Sequence, residues 1–215
     1  MFKSIAASLP EPVRTPLRAL LHNRQIAQGS FRSPEPEWDR LSEWITEGDT
    51  VLDIGANVGH YSCRMSELVG PTGRVVSFEP VPSTFTALTR NCSRFRYRNV
   101  TLVNAAVGDR VGHVGLSVPN VKNGSYLAHV NPTGPIRCLV LTIDSLALPG
   151  SVKLVKIDAE GYEPNVLSGM REMLTRDRPV VILERNQVAE RVLSELGYRI
   201  AVSPTRSPNI VATSG

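Results

Sequence analysis

From Thr50 onward, short apolar runs alternate with longer stretches whose apolar residues recur at helical spacing, and glycine, proline or asparagine separates one from the next. A short apolar run bounded by turn residues suits a strand covered on both faces, and the amphipathic stretches suit the helices that cover it. The pattern predicts strands at Thr50 to Ile54, Arg74 to Phe78, Val100 to Val103, Val152 to Ile157 and Pro179 to Leu183. Helices are expected over about Val58 to Val69, Pro82 to Phe95, Pro164 to Leu174 and Gln187 to Leu196. After Asn104 the order breaks. Val111 to Val118 and Ile136 to Ile143 alternate like antiparallel strands around a loop rich in Asn, Gly and Pro. Gly197 stops the last helix, and Tyr198 to Val202 with Ile210 to Ala212 read as a closing hairpin. The expected fold class is α/β and Rossmann-like: a mostly parallel sheet, helices on both faces and an antiparallel C-terminal edge.

Upstream, the run Ser33-Pro34-Glu35-Pro36-Glu37 divides a basic helical arm, residues 1–36, from a body, residues 37–215. The same run opens a helix that carries Trp38, Leu41, Trp44 and Ile45 and ends at Gly48-Asp49. The net charge of +4 belongs to the arm, where Lys3, Arg14, Arg18, Arg24 and Arg32 face the single acid Glu11, while the rest of the chain balances. Leu17, Leu20 and Leu21 form an apolar stripe beside Arg18 and Arg24, so Arg14 to Ile26 is expected to be an amphipathic helix capping the body. Contact with an anionic partner or a membrane surface is the alternative for it. No apolar run is long enough for an integral membrane segment, and Pro10, Glu11 and Pro12 interrupt the apolar start in a way that a secretory leader does not. Cys63, Cys92 and Cys138 lack metal-ligand spacing and read as buried residues of a reducing compartment, so a cytoplasmic location is expected.

In open parallel sheets ligands sit beyond the carboxyl ends of the strands, and the chemistry here gathers at four such tips. The first is Asp53-Ile54-Gly55-Ala56-Asn57-Val58-Gly59, a strand running into a glycine turn and a helix. Gly55 and Gly59 are expected to let the backbone approach a ligand, and the helix start offers free N–H groups to a carboxylate or phosphate. A dinucleotide fingerprint needs glycine where Asn57 and His60 stand, which argues against a pyrophosphate cradle. Asp53 inside the turn suits a cationic amine. The second tip ends in Glu79-Pro80, 26 residues after Asp53, where an acid is placed to hydrogen-bond ribose hydroxyls. At the third, Asn104 precedes Ala105 and Ala106, small residues that leave room for a flat adenine whose edge Asn104 is positioned to read. Together these describe a nucleoside with an amino-acid tail, the shape of S-adenosylmethionine. The fourth tip, Lys156-Ile157-Asp158-Ala159-Glu160-Gly161-Tyr162-Glu163, concentrates charge. Methyl transfer needs positioning and a base for the acceptor proton, so Asp158 or Glu160 is the expected base, with Lys156 stabilising an oxyanion or orienting a carboxylate.

The segments VLDIGANVGHYS, VVSFEP, NAAVGD and VKLVKIDAEGYEPNVLSG resemble the FkbM family of class I methyltransferases over about Glu37 to Glu184. The resemblance implies a seven-stranded Rossmann-like sheet and O-methylation of a hydroxyl on a sugar, glycan or natural-product acceptor. It also implies that Asp53, Gly55, Ala56, Asn57, Gly59, Glu79, Pro80, Asn104, Ala105, Ala106 and Asp158 bind S-adenosyl-L-methionine. Asn123-Gly124-Ser125 falls where family members carry a polar stretch near the cofactor. The loop from Val118 to Pro135 is individual, which leaves the acceptor open.

Other readings stand beside this one: a nicotinamide-dependent oxidoreductase, a nucleoside-binding module without turnover, and a metal-assisted enzyme in which Asp158, Glu184 and Asn186 offer oxygens to Mg²⁺. No metal is assigned. Arg90, Arg94, Arg96 and Arg98 gather at the end of one helix, where positive charge is favourable by itself, so no nucleic-acid partner is expected. A homodimer is left open.

Overall fold

The computed structural model describes residues 11–118, 128–148, 150–202 and 207–215. The Asn123-Gly124-Ser125 turn lies outside the described residues. Helices α1 (Glu11–Ala27) and α2 (Pro36–Arg40) lead through a 3-10 turn, Leu41–Glu43, into β1 (Thr50–Ile54), α3 (His60–Val69), β2 (Arg74–Phe78), α4 (Pro82–Cys92) and β3 (Val100–Val103). Then come β4 (Ala106–Val107), β5 (Gly112–Ser117), β6 (His129–Val130), β7 (Ile136–Leu141) and a 3-10 turn, Ile143–Ser145. The chain continues with β8 (Val152–Ile157), α5 (Glu163–Ser168), α6 (Arg171–Asp177), β9 (Val180–Glu184), α7 (Gln187–Glu195), β10 (Tyr198–Val202) and β11 (Asn209–Ser214).

Seven strands form the main sheet in the order β10-β11-β9-β8-β1-β2-β3. The pairs β9-β8, β8-β1, β1-β2 and β2-β3 are parallel, and β11 runs antiparallel to both of its neighbours. The expected hairpin therefore forms with its second strand inserted between β9 and β10. Alternate residues divide the strands between two cores, as a period of two requires. Leu52, Ile54, Phe78, Val155, Ile157 and Leu183 pack with Val166, Leu167, Met173 and Leu193 under α5 to α7. Val51, Val75, Leu154 and Ile182 face Tyr61, Met65 and Val69 of α3 on the other side. Every residue of β1 is buried, which explains why it reads as a continuous apolar run.

The antiparallel pair expected after Asn104 is β5 with β7, and it belongs to a second sheet of order β4-β7-β5-β6. Where one helix was expected over Pro164 to Leu174, there are two. At the break, a Cβ on Gly169 would lie 1.8 Å from the Gly108 carbonyl oxygen. The Asp144 N–H donates to the Gly169 carbonyl at 3.0 Å. The Asp144 carboxylate accepts from the Glu172 and Met173 N–H groups at 3.0 and 2.9 Å and thereby caps α6 from another part of the chain. The helix expected through Ile45 is likewise shorter, since it tightens into the 3-10 turn after Arg40.

Helix α1 lies against α4, with His22 Nδ1 and Asn91 Nδ2 at 3.1 Å. Phe31 stacks on His60 with ring centroids 4.2 Å apart, and Trp38 Nε1 donates to the His60 carbonyl at 3.2 Å. Glu37, fully buried, accepts from Ser207 Oγ at 2.8 Å and Asn209 Nδ2 at 3.4 Å, which ties the segment before β1 to the start of β11. All three cysteines are buried and unpaired. Among the described residues no helix is long and apolar enough to cross a membrane.

Candidate functional site

The strand order reverses between β1 and β8, and the four strand tips meet above that reversal. The first turn is fixed from two sides. Gly55 and Ala56 both donate to the Phe78 carbonyl, at 3.0 and 2.9 Å, and the Asp158 N–H donates to the Ile54 carbonyl at 2.9 Å. Gly55 has φ +80°, and a Cβ there would lie 1.9 Å from the Asp158 carbonyl oxygen. Gly59 has φ +97°, and its Cβ would meet Leu88 at 2.8 Å and the ring of Phe95 at 3.4 Å. Both glycines were expected to admit a ligand. A side chain at either would meet the protein's own surface, the backbone of the β8 tip at Gly55 and the side chains of α4 and the residues after it at Gly59, while the Gly55 backbone also lines the cavities above the turn. Asn57 also sits in the left-handed region, at φ 51°, and its N–H points to the β2 tip.

Glu79 takes that N–H. Its Oε2 accepts from Asn57 and its Oε1 from Val81, each at 2.9 Å. Burial raises the Glu79 pKa to about 7 against the opposing pull of these two donors. Asn104 Nδ2 donates to the carbonyls of Glu79 at 2.8 Å and Pro80 at 3.3 Å, so its amide N–H group ties the β3 tip to the β2 tip. Ala105 and Ala106 line the cleft beside Glu79 and Pro80, whereas Asn104 and Gly59 do not. Asp53 is buried under the turn and accepts from Ser62 Oγ at 2.5 Å. Burial raises it to about 6, with Ser62 and Lys156 opposing.

At the β8 tip, Lys156 is 1% exposed, its Nζ 3.7 Å from Asp158 Oδ2 and 5.2 Å from the centre of the Tyr61 ring. Asp158 is less than half exposed. The following loop is pinned by Glu163, whose Oε1 accepts from Ala159 at 3.2 Å and Gly161 at 3.1 Å. Its Oε2 accepts from Asn186 Nδ2 at 3.3 Å. Pinning holds Glu160 in the left-handed region at φ 50°, a conformation that costs a non-glycine residue about 1–2 kcal/mol. Partial burial, with Asp158, Glu184 and Glu163 nearby, raises the Glu160 carboxyl to about 7. Asn186 Oδ1 caps α7 by accepting from Val188 and Ala189, so its amide is already committed on both sides.

Two adjoining cavities open over these residues and share Gly55, Asn57 and Asp158. One, of about 660 Å³ to its open mouth, runs from Glu79 and Ala105 past Leu116 and Val130 to Glu160 and Tyr162. The other, of about 500 Å³, is lined by Asp53, Ala56, His60, Tyr61 and Lys156 together with Ser33 and Glu35 from the segment before β1. The sequence reading missed Leu116, Val130, Tyr162, Tyr61 and Glu35. Leu116 lies in β5 and Val130 in β6, strands that carry no motif, and the glutamate is hidden in a stretch that reads as a linker. Phe95 and Tyr97, which alternate with the arginines after α4, are accounted for within the fold. Phe95 is buried beside Leu88, and Arg96 covers the Tyr97 ring at 5.1 Å.

A parallel sheet that reverses between β1 and β8, carries one reversed strand inserted next to its far edge and bears a charged cleft over the reversal is the class I methyltransferase fold. Residues 53–200 match the model of the Methyltransferase FkbM domain, and the chain belongs to that family. It is 30% identical over 146 residues to the hexuronic acid methyltransferase AglP of Haloferax volcanii, covering 66% of this chain and 58% of that protein. It is 42% identical over 59 residues to a protein-L-isoaspartate O-methyltransferase of Methanothrix thermoacetophila, covering 27% of this chain and 28% of that one. The chain thus spans less than two thirds of the length of these curated relatives. The crystal structure of Methyltransferase FkbM from Methylobacillus flagellatus KT superposes with a TM-score of 0.59 at 17% identity, over 79% of this chain and 44% of that one, a likeness of fold.

Proposed function

We propose that this protein transfers a methyl group from S-adenosylmethionine to a hydroxyl oxygen of a sugar-type acceptor, a glycan or a glycosylated natural product. The observation that carries the reading is the pair of adjoining cavities, which differ in character along their length. The first combines small and apolar walls with the Glu79 carboxyl, suited to a flat base and a ribose diol, and with Asp158 and Glu160 of the β8 tip, and the second is lined largely by charged and polar groups, suited to a zwitterionic tail. The relative named as a hexuronic acid methyltransferase supports the sugar class of acceptor.

Bound there, S-adenosylmethionine supplies a methyl group activated by its sulfonium. The chain's own residues supply the rest. Glu79, held by Asn57 and Val81, has lone pairs left to accept from ribose hydroxyls, while Ala105, Ala106, Leu116 and Val130 flank the base. Glu160 projects at the cleft edge with a pKa near neutrality, where a carboxyl is most effective as a general base, and it takes the acceptor's hydroxyl proton. Lys156, buried against Asp158, keeps that carboxylate oriented at the junction of the two cavities. Glu163 positions the loop without facing the acceptor.

The test is incubation with methyl-labelled S-adenosylmethionine and a panel of hexoses, hexuronic acids and oligosaccharides containing them. The expected product carries label that survives mild alkali, as a methyl ether does. Label released as methanol marks a carboxyl ester and contradicts the hydroxyl assignment. Absence of transfer to every member contradicts the sugar class.

A further inference from the structure

The second cavity has a wall that the FkbM-matched stretch does not contain. Ser33 and Glu35 come from the segment before β1, outside residues 53–200, and line the cavity together with Lys156 and Asp158. We propose that Glu35 binds the ammonium group of the amino-acid tail of S-adenosylmethionine, so that the segment before β1 completes the tail end of the cofactor site. The inference rests on the methyl-donor reading above and assigns a residue within it.

Four observations carry it. First, the backbone at Glu35 is set in advance. Proline follows it at position 36, which disfavours a helical conformation at Glu35, and the residue is extended at φ −71° and ψ 134°. Second, the carboxylate is aimed. Tyr61 OH donates to Glu35 Oε2 at 2.5 Å, and Tyr61 itself is held under the Lys156 ammonium. Among the described residues Oε1 accepts no hydrogen bond. Third, the segment is anchored on both sides of Glu35, by Phe31 stacked on His60 and by Trp38 hydrogen-bonded to the His60 carbonyl. The buried Glu37 adds a link to Ser207 and Asn209. A carboxylate so fixed loses little freedom on binding.

Fourth, the charge in the cavity is unbalanced. Glu35, Asp53 and Asp158 line it with one ammonium, that of Lys156. His60, the other basic group there, is pushed down to about 4 by burial and by His22, so it stays neutral at physiological pH. A cationic amine restores the balance. Lys156 is ion-paired with Asp158, and Asp53 Oδ2 is engaged by Ser62, which leaves the Glu35 carboxylate as the lining acid with an oxygen to offer the amine.

Calorimetric titration with two nucleosides separates this role from a structural one. S-Adenosylhomocysteine carries the amino-acid tail, and 5′-methylthioadenosine has the same nucleoside without it. The variant Glu35→Gln keeps an oxygen for the Tyr61 hydroxyl and removes the charge. It is expected to weaken S-adenosylhomocysteine about tenfold or more, the scale of one charge-assisted hydrogen bond, and to leave 5′-methylthioadenosine within about twofold. Tyr61→Phe frees the carboxylate without neutralising it and should give a smaller loss, again for the tailed ligand alone. Equal weakening of both nucleosides by Glu35→Gln, or unchanged affinity for both, overturns the assignment. Failure of the unmodified protein to bind S-adenosylhomocysteine overturns the methyl-donor reading itself, and this assignment with it.

Discussion

Replacing Gly55 by alanine tests why glycine stands at the centre of the site. Two costs are readable from the structure. At φ +80° an L-residue is disfavoured by about 1–2 kcal/mol. The new Cβ would also lie 1.9 Å from the Asp158 carbonyl oxygen and 2.9 Å from its carbon. That carbonyl cannot swing aside freely, because the Asp158 N–H is bonded to the Ile54 carbonyl at 2.9 Å and the two strands pair in register behind it. Forcing β1 and β8 apart at their tips is an overpacking cost of about 1–3 kcal/mol. The sum is about 2–5 kcal/mol, a large share of the 5–15 kcal/mol that typically holds a domain folded. With a urea slope of about 2 kcal/mol/M, the unfolding midpoint of the ligand-free variant should fall by about 1–2.5 M. Urea denaturation followed by circular dichroism reads this directly. A midpoint within about 0.2 M of the unmodified protein, together with lost nucleoside binding, would refute the reasoning. It would mean that the glycine serves the ligand and not the approach of β8.

Two pH responses follow from the buried carboxyls. Burial raises Asp53 to about 6 and Glu79 to about 7, so the folded protein binds more protons than the unfolded chain between about pH 4 and 7. The stability from this protonation is fully present below about pH 4 and is lost as pH rises through 6 and 7, on the order of a few kcal/mol. The ligand-free urea midpoint should therefore fall from pH 5 to pH 8, and Asp53→Asn should flatten that fall; a midpoint that rises over the range contradicts the account. Turnover should increase with pH through about 7 as Glu160 ionises, and Glu160→Gln should lower it about 10²-fold or more and abolish that limb. A limb that persists unchanged in the variant would transfer the base role to Asp158.

What was legible in the sequence was whatever the physics writes locally. The bounds expected for β1, β2, β3 and β8 match the strands found, because strands buried on both faces become short apolar runs between turn residues. The strands β4 and β6 are two residues each, too short to leave a period. The break between α5 and α6 was invisible because Asp144, which caps α6, lies 28 residues before Glu172 in the chain. At the site, the sequence named which tips converge, and the structure brings Asp53, Glu79, Lys156, Asp158 and Glu160 around the two cavities. It did not reveal how side chains divide their hydrogen bonds. Asn104 reads as a group free to meet a base, yet its amide N–H group joins two backbone carbonyls of the β2 tip. Gly55 and Gly59 read as room for a ligand, and their neighbours are parts of the chain distant in sequence. Glu35 sits among prolines in a stretch that reads as a linker, and only tertiary structure carries it to the cavity wall.

The measurement that tests the central claim most directly is calorimetric titration of the ligand-free protein with S-adenosylhomocysteine, with NAD as the comparison ligand. The account predicts saturable binding of S-adenosylhomocysteine and none of NAD, since the β1 turn has Asn57 and His60 where a dinucleotide cradle needs glycine. Saturable binding of NAD without S-adenosylhomocysteine would contradict it.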